Sequence, residues 1–137
     1  MTVLRNKITL LFVIMVLTSC AWLPEKYQPA VQPPQGAGDK LLVKGIQNYE
    51  EGEYKNAVKN LQDALKAGLS RKTDSAKAHK YLAFIACGSN NTKKCSDEFQ
   101  RAFEDDPNFS LSAAEAGHPV WGPVYLKVQK LIKSKSR

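Results

Sequence analysis

The chain has little of what catalytic sites are usually built from. Its 137 residues hold only two histidines, His79 and His118. Neither has a nucleophile or a carboxylate at motif spacing. No Gly-x-Ser-x-Gly, His-Glu-x-x-His or phosphate-binding loop occurs. These absences point away from hydrolase, metalloprotease and phosphoryl-transfer chemistry, and predict a non-catalytic protein with no metal and no cofactor. Long apolar runs are scarce as well. The best of them, Ile8 to Leu17, is interrupted by Thr9 and falls well short of the roughly 20 residues a spanning helix needs. Cysteine is limited to Cys20, Cys87 and Cys95, with no Cys-x-x-Cys pair of the redox-active kind.

What the N-terminus does have is a pattern. Arg5 and Lys7 precede the apolar run, and small residues follow it in Leu17-Thr18-Ser19-Cys20. The layout is that of a secretory signal peptide over residues 1–19. Its last four residues resemble the lipobox of bacterial lipoproteins. The resemblance implies a mature chain that begins at Cys20, with lipid on the cysteine sulfur and, as a rule, a further acyl chain on its nitrogen. Several acyl chains would make the membrane anchor effectively permanent. Ala21 stands where an Asp tends to retain such proteins in the inner membrane. The expected location is therefore the periplasmic face of the outer membrane.

The same resemblance bears on the other cysteines. In an oxidising compartment, with Cys20 lipidated, Cys87 and Cys95 are left as an even pair and a disulfide is expected. A zinc site on His79, Cys87 and Cys95 is the rival, but gaps of seven residues match no common zinc spacing. Arg5 and Lys7 carry two of the net +7 charges, so the mature chain stays basic. Much of the excess lies at the end, in Lys127, Lys130, Lys133, Lys135 and Arg137. Nucleic acid is not an expected partner in the periplasm. The basic tail fits anionic lipid, cell-wall carboxylates or an acidic partner, or simply a solvated helix face.

Residues 20–38 are rich in Pro and Gly and show no apolar periodicity, as a semi-extended tether would. At about 3.1 Å per residue it would hold a domain at most ~55 Å from the membrane, with Trp22 and Leu23 at the interface. From residue 39 the period becomes helical. Leu42, Gly45, Ile46 and Tyr49 define one face, and Glu51-Gly52-Glu53 ends that helix. A second helix carries Tyr54, Ala57, Val58, Leu61, Ala64 and Leu65, with Gly68 as its cap. Asp74 is expected to cap a third, which turns Tyr81, Leu82, Ile85 and Ala86 inward. Thr92 is expected to cap a fourth, bearing Cys95, Phe99, Ala102 and Phe103 and stopping near Asp106-Pro107. Gly45, Ala57, Leu61, Ala64 and Leu65 recur at an offset of 38 as Ala83, Cys95, Phe99, Ala102 and Phe103.

Gly45, Tyr49, Gly52-Glu-Tyr54, Ala57, Leu61 and Ala64-Leu65 resemble the tetratricopeptide repeat (TPR) signature. The second copy keeps Leu82-Ala83, Phe99, Ala102 and Pro107, but has cysteines of its own and four residues more than the usual 34. The extra residues are expected in the Ala67–Thr73 turn. The predicted fold is all-α: two TPR-like helical hairpins plus a C-terminal capping helix, over residues 39–137. A Cys87–Cys95 bridge would staple the second hairpin. Ser112-Ala-Ala-Glu115 has capping-box spacing, and Pro123 is placed to open the last helix with Val124, Val128, Leu131 and Ile132 inward. The stretch from Asp106 to Pro123 also resembles the tails of small bacterial envelope TPR proteins, some of them linked with secretion or pilus assembly.

The TPR resemblance implies a concave, partner-binding surface from the first helix of each hairpin. It would comprise Leu42, Ile46 and Tyr49 with Lys77, Lys80, Tyr81 and Phe84, and suits an acidic or C-terminal peptide. The last helix can instead fold back over it. His79 is expected at the surface, His118 in a turn bonded to backbone, and Glu104 to Asp106 as a solvated helix end. The expected function is an adaptor or assembly factor for an envelope protein or peptide. The rivals are a regulatory activator of a cell-wall enzyme and a structural link to peptidoglycan or anionic lipid. The sequence leaves the oligomeric state open.

Overall fold

A computed structural model describes residues 36–135; the expected signal peptide, Cys20 and almost all of the tether lie outside them. All six elements among the described residues are helices: α1 (Ala37–Glu50), α2 (Tyr54–Ala67), α3 (Lys72–Gly88), α4 (Thr92–Asp105), α5 (Ala113–Ala116) and α6 (Gly122–Lys135). The all-α expectation holds. α1 pairs with α2 and α3 with α4 as two sequential hairpins, α3 also packs on α1 and α2, and α6 lies against α4.

The 38-residue offset corresponds to matching core positions. Gly45, Ala57, Leu61 and Ala64 are buried in the first hairpin, and Ala83, Cys95, Phe99 and Ala102 in the second. Small residues let the paired helices approach closely, and Leu61 and Phe99 fill the space between them. A Cβ on Gly45 would stand 2.8 Å from Leu61 Cγ, so the close approach depends on glycine there. Two apolar cores result. Leu42, Leu61, Ala64, Ala78 and Leu82 form one. The larger is built around Phe84, Phe99, Phe103, Tyr125 and Val128.

The third helix departs from the amphipathic expectation. Leu82 and Ala86 are inside as expected, with Tyr81 and Ile85 half-buried, but Ala76, Ala78, Ala83, Phe84 and Cys87 are buried too. α3 has neighbours on nearly every side, so one apolar face does not describe it. Tyr54, expected inside, is 53 % exposed because it opens α2 at the rim, its ring 5.8 Å from Tyr49. In α6, Leu131 is exposed and Tyr125 takes its place inside. The Tyr125 ring lies 5.4 Å from Phe99 and 5.9 Å from Phe103, and its hydroxyl accepts from the Leu111 amide at 3.3 Å. Val128 is buried, with Val124 and Ile132 at its flanks.

Several polar residues also sit differently. α1 starts at Ala37, before the expected boundary, because Asp39 caps it: its carboxylate accepts from the Gly36 amide at 2.9 Å. The same carboxylate accepts from the Ser70 amide at 3.1 Å and from the Ser70 hydroxyl, which fixes the α2–α3 connection. Asp74 is not the cap of α3 but lies in its first turn, bonded by the Arg71 guanidinium at 2.8 and 3.0 Å. Asn91, one residue ahead of Thr92, caps α4 by accepting from the Lys94 amide at 3.1 Å. His79 is buried, not at the surface. Its Nδ1 lies 2.7 Å from Glu98 Oε2 on α4, and since a carboxylate only accepts, Nδ1 is the donor. Asp105 is not merely solvated: it faces Lys72 at 3.5 Å and His79 Nε2 at 3.6 Å. The capping box at Ser112 and Glu115 forms as expected.

Cys87 and Cys95 form the expected disulfide between the end of α3 and the first turn of α4, with Cα atoms 5.2 Å apart. A paired Cys87→Ala, Cys95→Ala variant should lose about 2–3 kcal/mol of stability in urea unfolding, the amount expected for a loop this short. Equal stability would show that the bridge contributes nothing. A Cβ on Gly38 would fall 2.0 Å from the Gly68 carbonyl oxygen, which is backbone and cannot turn aside. Gly45→Ala should therefore cost about 1–3 kcal/mol, and Gly38→Ala at least the upper end of that range.

Candidate functional site: a tyrosine face beside the C-terminal segment

Of the seven residues expected on a concave surface, the structure brings four together. Tyr49 near the end of α1 meets Tyr81 of α3 edge-on, with centroids 5.0 Å apart, and lies 6.3 Å from Phe84. Lys80 holds its ammonium 4.8 Å from the Tyr81 ring centre and 5.6 Å from that of Phe84. The other three stand differently. Leu42 is buried in the first core, Ile46 is half-buried against it, and Lys77 is exposed and pairs with Asp74 at 3.9 Å.

The C-terminal segment adds residues that sequence reasoning did not assign to this surface. Trp121 stacks on Phe84 at 4.3 Å and on His118 at 3.4 Å. Its indole N–H donates to the Glu115 carbonyl at 2.9 Å, which ties the ring to α5. Glu115 in turn holds Lys80 at 2.7 Å. Phe84 is thereby buried, its surface used by Trp121 and not open to a partner. His118 accepts from the Val120 amide at 3.2 Å, the backbone-bonded turn role expected of it. The available signal was Trp121 itself, a large aromatic in a segment otherwise read as chain-breaking.

What stays open is a row of three tyrosines. Tyr54, Tyr49 and Tyr81 run in contact across α2, α1 and α3. Their hydroxyls make no hydrogen bond to another described residue, and none is a buried, unsatisfied group, so all three reach water. Burial pushes the Tyr49 phenol above its ordinary range, and the nearby Tyr54, Tyr81 and Glu115 oxygens add to the rise. Burial also raises the Glu115 carboxyl. The Lys80 hydrogen bond and the Ser112 amide outweigh it, leaving Glu115 below the ordinary glutamate range.

The tyrosine face offers flat apolar rings, phenol donors and one ion pair. Among the described residues no group of three His, Cys, Asp or Glu side chains is placed to hold a metal ion. Comparison with protein-family models, curated proteins and solved structures finds no match to this chain.

The Glu115 contact has a pH signature. A carboxyl whose folded value is depressed contributes stability above its unfolded value and loses it as pH falls through the folded one. Trp121 fluorescence should therefore change below about pH 4, as Lys80 and Glu115 separate and α5 loosens. Glu115→Gln should remove that acid transition; a transition that persists unchanged would assign it to another group.

Proposed function

We propose that the chain is a non-catalytic, TPR-type adaptor lipoprotein. Anchored through Cys20 at the periplasmic face of the outer membrane, it holds an envelope protein by an extended segment laid on the tyrosine face. The observation that carries the reading is the row Tyr54, Tyr49 and Tyr81 with three water-facing hydroxyls beside the Lys80–Glu115 pair. Aromatic rings give contact area at low entropic cost, and phenol donors match the free carbonyls of an extended chain. The TPR assignment is supported by two hairpins that bury equivalent small residues at an offset of 38. Lipobox-like Leu17-Thr18-Ser19-Cys20 and the Cys87–Cys95 bridge both suit an exported protein. Secretion or pilus assembly is the setting in which such an adaptor would act.

A photo-crosslinking amino acid at position 54 should yield a discrete protein adduct in intact cell envelopes. Tyr49→Phe and Tyr81→Phe keep the rings and delete only hydroxyls. Each should weaken binding about threefold to tenfold if its hydrogen bond reaches the partner. A strong adduct from positions on α4 with none from position 54 would move the site elsewhere, and turnover of a substrate by the purified protein would end the adaptor reading.

A further inference from the structure

The last helix offers a second surface, unrelated to the tyrosines. α6 turns Tyr125, Val128 and Ile132 toward α4, and the opposite half of the helix faces solvent. On that half Leu126 and Lys130 form one row four residues apart, and Lys127 and Leu131 form the next. Leu126 is 52 % and Leu131 51 % exposed, two of five large hydrophobic side chains that stand so far out among the described residues. No acid follows Glu115 in the sequence, while α6 alone carries four lysines. Lys127 and Lys130 make no ion pair with any described residue.

We infer that this outer face of α6 lies on an anionic phospholipid bilayer. Lys127 and Lys130 supply the attraction to headgroup phosphates. The two leucines can enter the interface while the lysine stems run along them and keep their ammonium groups at the phosphate level. An acidic protein partner would use the charge but leave the leucines without a role. A bilayer uses both, and needs no fixed geometry. The inference stands on α6 alone. The Cys20 anchor of the proposed function would only raise the local concentration: fifteen residues separate Cys20 from Gly36, a reach of roughly 50 Å.

The test uses the chain from residue 20 onward with Cys20→Ser. This keeps all of the compact unit Pro34–Arg137 and cannot be lipidated. It should co-sediment with vesicles of phosphatidylethanolamine and phosphatidylglycerol, release as salt is raised, and ignore phosphatidylcholine vesicles. Lys127→Gln and Lys130→Gln should each weaken binding about fivefold. Leu126→Ser with Leu131→Ser should weaken it at unchanged charge, which separates insertion from attraction. Circular dichroism and an intact Cys87–Cys95 bridge verify that each variant is folded. Vesicle binding that survives both lysine substitutions would overturn the inference. So would retention on isolated cell-wall sacculi, or self-association through α6, without binding to vesicles. Crosslinking from position 54 reads the tyrosine face and is independent of every one of these results.

Discussion

Burial of α3 from several sides is the constraint on which the rest of the structure depends. One side of the helix gives Ala78 and Leu82 to the first core, and another gives Ala83, Phe84 and Cys87 to the second. A single shared helix thus contributes to both cores. Small side chains on α3 and its neighbours set how near the other helices come. Phe99, fully buried on α4, fills the wider part of the gap.

Polar joints fix how the helices are held at that distance. The Asp39 carboxylate ties the start of α1 to Ser70, and the Ser70 hydroxyl bond holds its carboxyl below the ordinary aspartate range. Asn60 donates to Asn48 at 2.8 Å, joining α2 to α1, and Asn48 passes the chain on to Glu53 at 2.7 Å. His79 and Glu98 do the same between α3 and α4. The Asn60–Asn48 and His79–Glu98 pairs each span one helix–helix contact and are satisfied inside it. Helices that could slide along an apolar seam are held in a single register by such bonds.

The C-terminal segment both completes the core and narrows the surface that the hairpins present. Trp121 covers Phe84, Tyr125 seals Phe99 and Phe103, and Glu115 draws Lys80 to the rim. Leu42 and Phe84 are buried, while Tyr54, Tyr49 and Tyr81 still reach the surface. The outer half of α6, with Leu126, Lys127, Lys130 and Leu131, is left exposed.

Much of this was legible in the residues. Apolar spacing and caps located the four main helices to within a few residues, and the 38-residue offset identified equivalent core positions. Cysteine arithmetic gave the Cys87–Cys95 bridge. These succeed because helix period, capping chemistry and loop length act over a few residues at a time. The sequence could not place His79, Asp105, Tyr125 or Trp121. Their partners lie between 3 and 37 residues away, and proximity alone makes a histidine amid lysines a buried donor to Glu98. Nor could it determine which half of α6 faces inward, since Val124, Tyr125, Val128, Leu131 and Ile132 allow two overlapping apolar faces. Local chemistry therefore determined the elements of this protein. Only the tertiary packing, by filling one gap with Tyr125 and another with Trp121, decided which surfaces were left exposed.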